Sequence, residues 1–311
     1  MQLHHELPLL PVLSDCALTV GTFDGVHRGH HALVELLRRE AATRSLQTAV
    51  LTFTDMPYCY FRPDNCPCLL TLPDEKIAVF KQLAIDHLFI VPFSESLAAQ
   101  SAEKFVSETL VHCAGMKLLI AGPDFALGRG REGDIPTLRT LGEWFGFDLV
   151  VLADKLLDEG EAISSTRTRE CVERGDVATA ARLLGRPFAL SGGVVSGQQL
   201  GRTIGVPTIN LRPHARKVVP ANGVYAARAF FDDKAMPHLA ALNIGSRPTV
   251  GGDNLSIEFH VIGENIPRPP QTARLEIIER LRDEQKFPSL EALVAQMQRD
   301  IARATQILQT A

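Results

Sequence analysis

The 311-residue sequence is short of several features, and each shortage removes a class of function. It has no strong charge of either sign. Its 32 Lys+Arg against 36 Asp+Glu leave a net charge of -4, so no polycationic surface argues for nucleic acid. No apolar run reaches the ~18 residues that a membrane-spanning helix needs. The start of the chain has no basic stretch leading into an apolar one, so a cytoplasmic protein without a membrane partner is expected. Cysteine is sparse and scattered: Cys16, Cys59, Cys66, Cys68, Cys113 and Cys171. Only Cys66 and Cys68 are close, C-x-C alone is a poor zinc signal, and free thiols are expected. There is no internal repeat, no low-complexity tract and no G-x-x-x-x-G-K-[ST] phosphate loop.

What is present is an ordinary globular composition, 45% hydrophobic and 22% charged. The length suits two domains, each able to bury its own core. Residues 1–185 hold 17 Lys+Arg against 25 Asp+Glu, and residues 186–311 hold 15 against 11. Neither half carries an extreme field, so an anionic ligand has to be held by helix N-termini and individual arginines.

The first half alternates strand and helix patterns. Ala17–Val20, Thr48–Phe53, His87–Val91, Lys117–Ala121 and Asp148–Ala153 read as strands. His31–Ala42, Lys76–Leu83, Ala102–His112 and Thr137–Phe145 read as helices. This rhythm predicts a parallel sheet covered on both faces. Two short helices over Thr168–Leu184 join at Gly175-Asp176, and Gly185-Arg186-Pro187 breaks the pattern. Short β runs follow at Phe188–Val195, Gly223–Phe231, Leu239–Ile244 and Ser256–Val261, which suggests a small antiparallel barrel. Glu276–Leu281 and Leu290–Ile307 read as closing helices.

The segment Gly21-Thr22-Phe23-Asp24-Gly25-Val26-His27-Arg28-Gly29-His30 follows a strand and opens a helix. A helix N-terminus offers unpaired N–H groups and positive dipole charge to a phosphate. His27 and His30 share one face of the first turn, and two imidazoles there can donate to a phosphate as charge builds on it. Ile163-Ser164-Ser165-Thr166-Arg167-Thr168-Arg169 opens another helix with three hydroxyls and an arginine, a second candidate phosphate site. Between them lies Gly122-Pro123-Asp124-Phe125-Ala126-Leu127-Gly128-Arg129-Gly130-Arg131.

In the second half, Gly197, Gly201 and Gly205 allow close backbone wrapping around phosphates, with Arg202 among them. Thr208 and Asn210 offer hard oxygen ligands suited to magnesium. Then come Val219-Pro220-Ala221-Asn222-Gly223-Val224-Tyr225, Asn243–Thr249, Glu258-Phe259-His260 and Arg280–Phe287.

In this order the motifs resemble the bacterial bifunctional riboflavin kinase/FAD synthetase family, from about Val12 to Ile307, with an H-x-G-H nucleotidyltransferase in the first half. The fold implied is α/β: a Rossmann-like adenylyltransferase domain over residues 1–185, then a β-barrel riboflavin kinase domain over 186–311 with C-terminal helices. The activity implied is phosphorylation of riboflavin, then transfer of AMP from ATP to FMN to give FAD and pyrophosphate, with Mg2+. The resemblance makes His27 and His30 catalytic, with Gly21, Phe23, Asp24, Gly25, Gly29, Ser164, Ser165, Thr166 and Arg167 around the nucleotide phosphates. Asp124, Phe125 and Arg131 form a flavin or nucleotide loop. Glu258, at a barrel mouth, is the base for the riboflavin 5′-hydroxyl. Gly197, Gly201, Arg202 and Gly205 hold the kinase phosphates, Thr208 and Asn210 the metal, and Asn243, Arg247, Arg282 and Glu284 the flavin. A monomer with at most weak self-association is expected.

The chain departs from the family where Thr54-Asp55-Met56-Pro57 replaces E-P-H-P, where Leu127 replaces an aromatic, and over Val261–Ala273, which lacks the L-L-D-F and L-Y-G runs. Two other readings stay open: an adenylyltransferase with a non-catalytic flavin-binding barrel, and a nucleotidyltransferase for another phosphate substrate.

Overall fold

The computed structural model describes residues 1–8, 10–11, 15–196, 205–232, 234–249 and 252–310, with backbone alone at 247–249 and 252–254. The chain divides into two compact units, Met1–Ser165 and Thr166–Ala311.

In the first unit, β1 (Gln2–His4), β2 (Cys16–Val20), β3 (Gln47–Phe53), β4 (His87–Val91), β5 (Met116–Ala121) and β6 (Asp148–Val151) form one sheet in the order β1-β4-β3-β2-β5-β6. Every neighbouring pair is parallel. Strands buried on both faces read as continuous apolar runs, and all five residues of β2 and β4 are buried. The pleat sends alternate residues to opposite faces. Cys16, Leu18 and Val20 join one apolar cluster, with Phe105, Val106, Leu138 and Leu141. Ala17 joins the other, with Leu33, Val34 and Leu37 of α1 (Arg28–Thr43) and Phe80. Helices α2 (Pro57–Phe61) and α3 (Pro73–Gln82) lie between β3 and β4, α4 (Glu95–Ala98) and α5 (Ala102–Lys104) between β4 and β5, and α6 (Ile135–Phe145) between β5 and β6. The expected helix at 102–112 is mostly π-wound, over Phe105–Cys113. The sheet changes direction of growth between β2 and β5. That is where an open α/β sheet leaves a crevice at the carboxyl ends of its strands.

In the second unit, α7 (Ser165–Glu173, beginning at the division) and α8 (Val177–Leu184) precede six strands. These are β9 (Phe188–Val195), β10 (Ile209–Pro213), β11 (Gly223–Phe231), β12 (His238–Thr249), β13 (Gly252–Val261) and β14 (Thr272–Arg282). They close into a barrel in the order β10-β13-β12-β11-β14-β9. A small hairpin, β7 (Leu157–Asp158) with β8 (Glu161–Ala162), lies in the first unit.

Two expectations are corrected. Glu276–Leu281 is not a helix but part of β14. Ala273, Leu275 and Ile277 are buried at every second position, and this two-residue period won over the helical spacing of Ile277 and Leu281. The barrel is therefore closed by a single C-terminal helix, α9 (Leu290–Thr310). Cys59 and Cys66 are joined as a disulfide rather than being free thiols; Cys16, Cys113 and Cys171 are free. Strand β10 was missed because it is only five residues long and sits beside a glycine-rich stretch.

Candidate functional sites

A cavity of about 270 Å³ opens at the sheet's switch point. Its wall includes Val20 and Gly21 from the end of β2, Gly122 and Pro123 just after β5, and Phe23, His27, Gly29 and His30. Asp124, Phe125 and Ile163 complete one side. The turn that carries the histidines is held in a strained shape: Phe23 and Val26 have positive φ of 48° and 39°, as does Gly25 at 81°. Such conformations persist only where the surroundings over-determine them.

Asp24 supplies that restraint. It was expected beside the phosphates, but it is buried, and its carboxylate accepts the N–H groups of Leu70 and Thr71 at 2.9 and 3.1 Å. The Gly25 N–H donates to Thr71 Oγ1 at 3.0 Å. The Ser165 hydroxyl donates to the Asp24 carbonyl at 2.7 Å.

His27 is the N-cap of α1 and forms a reciprocal cap with His30. The His30 N–H donates to His27 Nδ1 at 3.3 Å, and the His27 N–H donates to His30 Nδ1 at 3.2 Å. Each Nδ1 is therefore an acceptor, which puts the ring proton of both on Nε2. A side chain at Gly29 would meet the His27 ring at 3.1 Å, so glycine there keeps the pair stacked.

Arg131 donates to the Asp124 carbonyl at 2.9 Å, pinning the loop, and Lys155 pairs with the Asp124 carboxylate. Lys155 also lines the cavity. No sequence motif marked it. Ser164 is half-buried near the cavity residue Ile163, while Thr166 and Arg167 belong to the second unit, on α7.

Below this turn, Lys76 is 1% exposed. Its Nζ donates to the carbonyls of Thr22 and Phe53, each at 2.8 Å. Burial lowers its pKa from 10.5 to about 8, against the pull of Asp24 and Asp55.

The second site follows from strand register. Arg282 on β14 pairs with Val224 on β11, which pairs with Asn243 on β12. Asn243 pairs with Glu258 on β13, which pairs with Asn210 on β10. Residues directly opposite across antiparallel strands share a face, so this one row gathers four of the expected site residues. Ile257 and Phe259 are buried inside the barrel, so Glu258 points outward. It lies not at the barrel's mouth but in a cavity of about 390 Å³ between its outer face and α9, within the range of small-molecule sites.

Thr208, Asn243, Arg282 and Glu284 share that cavity, with Phe287, Met297 and Ile301 as its apolar wall. The Thr208 and Ser256 hydroxyls donate to the two Glu258 oxygens at 3.1 and 3.0 Å. Asn222 Nδ2 donates to Glu284 at 3.2 Å. Arg282 does not reach toward the cavity alone. Its guanidinium grips Asp300 of α9 through Nε at 3.0 Å and Nη2 at 2.8 Å, and Gln296 adds a donor at 2.8 Å. Among the expected phosphate residues only Gly205 is described, with a positive φ of 75°. Gly197, Gly201 and Arg202 lie outside the described residues, as does the Arg247 side chain.

A switch-point cavity on an α/β unit and a capped cavity on a separate six-stranded barrel define a two-part, nucleotide-using transferase. The family model for FAD synthetase matches residues 10–167, and that for riboflavin kinase matches residues 184–308. A bifunctional riboflavin kinase/FMN adenylyltransferase from Escherichia coli strain K12 is 40% identical over 95% of this chain and 93% of its own. Its Haemophilus influenzae counterpart is 36% identical over 94% of each. A solved structure described as a macrolide-efflux protein from Streptococcus pneumoniae is 28% identical, with a TM-score of 0.87 over 96% of this chain and 97% of that one. Among the described residues of this chain, no helix is long and apolar enough to cross a membrane.

The chain belongs to the bifunctional riboflavin kinase/FMN adenylyltransferase family. It phosphorylates riboflavin to FMN and adenylylates FMN to FAD, with ATP and flavins as substrates.

Proposed function

We propose that Glu258 is the general base of the kinase reaction and that the His27–His30 pair is the transition-state donor of the adenylyl transfer. The observation that carries the first role is that Glu258, paired in register with Asn210 and Asn243, lines together with Asn243 a mostly apolar cavity of about 390 Å³, a size suited to a flavin. A primary hydroxyl is a poor nucleophile, so removing its proton as it attacks lowers the barrier. The two hydroxyls that donate to Glu258 hold its carboxylate in one orientation.

FMN phosphate is already an anion, so adenylyl transfer needs alignment and charge dispersal rather than a strong base. Two Nε2–H donors at a helix N-terminus provide both. Pyrophosphate leaves as the phosphate oxygen bonds to the α-phosphorus.

Thr208 and Asn210 are the residues of the barrel that would hold Mg2+. Both are hard oxygen donors, and Thr208 Oγ1 is 3.1 Å from Glu258. The ion supplies charge neutralisation to the phosphates of bound ATP. The chain acts as a cytoplasmic monomer on riboflavin, FMN and ATP, with its two domains meeting at 185/186.

Glu258→Gln tests the base. It keeps size and hydrogen bonding but cannot take a proton. FMN production from riboflavin should fall roughly a hundred- to ten-thousandfold. FAD production from supplied FMN should be unchanged. An unchanged kinase rate removes Glu258 from the mechanism.

A further inference from the structure

After β3 ends at Phe53, the chain runs through a segment that buries almost nothing of its own. The helical turn Pro57–Phe61 has no buried residue, nor has Pro63–Asn65. Tyr58, Tyr60 and Phe61 are exposed. Apart from Met56 and the ring contacts of Tyr60 and Phe61 with Phe93, the segment has little core, and a cross-link helps it hold one shape. Here that link joins Cys59 to Cys66, with Cα atoms 4.7 Å apart.

Asp55 lies at the same place. One carboxylate oxygen of Asp55 and the sulfurs of Cys59 and Cys66 all lie within 4.8 Å of one another. A tetrahedral ion with bonds of about 2.0–2.3 Å needs its ligand atoms roughly 3.3–3.8 Å apart. Opening the disulfide releases the two sulfurs from bonding distance, so that side-chain rotation can adjust the set toward that range. The donors are two thiolates and one carboxylate. That mixture suits Zn2+, whereas Mg2+ demands oxygen ligands throughout.

We propose that the reduced chain binds one Zn2+ through Asp55, Cys59 and Cys66, with water in the fourth position. None of the three residues lines either cavity described above. A dithiol or phosphine reductant breaks the S–S bond, delivering two electrons and two protons to the sulfurs, and is itself oxidised. The metal then binds as both thiols lose their protons to solvent. The ion replaces the disulfide as the clamp on residues 55–66, so the segment is closed in either redox state.

The experiment uses the full chain with Co2+ as probe. The protein is reduced with a phosphine under anaerobic conditions and titrated. One equivalent of Co2+ should bind, giving thiolate-to-cobalt charge-transfer absorption and the visible bands of a tetrahedral ion. Stoichiometric Zn2+ should bleach both. The oxidised protein should show neither, which keeps the test independent of any variant.

Cys59→Ser and Cys66→Ser should each abolish the charge-transfer band. Asp55→Asn should weaken binding by at least the roughly tenfold that even outer-shell changes cost. Cys68→Ser should bind as wild type. The proposal is overturned if the reduced wild type shows no charge-transfer band, if the band survives in both Cys59→Ser and Cys66→Ser, or if Cys68→Ser loses it.

Discussion

His27 and His30 lie ring on ring, with centroids 3.6 Å apart and planes 15° from parallel, and each accepts the other's backbone N–H through Nδ1. The reciprocal cap fixes both rings and both tautomers before any substrate arrives. Preorganised donors of this kind require no reorganisation as charge develops.

His30→Ala should therefore lower FAD formation by roughly a hundredfold or more, with the loss in kcat. It also removes the acceptor for the His27 N–H and the ring stacked on His27, while the residue-30 N–H still donates to His27 Nδ1. Riboflavin phosphorylation should stay at the wild-type rate. Chromatography of both products from one reaction checks this, and FAD synthesis near the wild-type rate would remove the pair from the chemistry.

Lys76 makes stability depend on pH in a defined window. Its folded pKa of about 8 lies below the ordinary 10.5. Between these values the unfolded chain holds a proton that the native chain has released, so stability rises with pH across the window. Below about pH 8 both states are protonated, and the cost of burying the charge is constant. Urea unfolding at pH 7 and pH 10 should show the wild type gaining on the order of 2–3 kcal/mol relative to Lys76→Met. Equal pH dependence in the two proteins would show that Lys76 is not the group responsible.

The Arg282–Asp300 pair ties the C-terminal helix to the last barrel strand, and both residues line the cavity proposed for the flavin. Asp300→Ala leaves a half-buried guanidinium without its partner. Removing one member of a buried pair costs about 3–5 kcal/mol, and this partly exposed pair should lie at or below the lower end. The KM for riboflavin should rise tenfold or more while adenylyl transfer from supplied FMN is untouched. Asp300→Glu should recover part of the loss. A normal KM in Asp300→Ala would mean that the helix is seated without the pair.

Fragments test the domain boundary. Residues 186–311 contain the whole barrel and α9, and are expected to fold and phosphorylate riboflavin. Residues 166–311 also keep α8, which packs on β9 and β14. The longer fragment should melt several degrees higher, since a gain of about 1 kcal/mol moves a domain of this size by roughly 4 °C. Identical melting temperatures would show that α8 adds nothing to the barrel.

The strand–turn–helix at Gly21–His30 was legible because its signal is local: an apolar run, glycines and two histidines three apart. The parallel sheet was legible for the same reason, since buried strands and amphipathic helices alternate along the chain. Strand β14 was misread because Glu276–Leu281 satisfies a helical spacing as well as a strand one. Only pairing with β9 and β11 favours the strand, and those partners are distant in sequence.

Taken alone, the amino-acid sequence determined the order of two folding units, the glycine turn and most of the helices of the first unit, because each depends on neighbours within a few positions. Tertiary structure alone decided that Asp24 braces the turn, that Lys76 is buried beneath it and that Lys155 reaches its cavity. It alone set Glu258 between Asn210 and Asn243 under α9, because strand register and helix docking are set by contacts made across long stretches of chain.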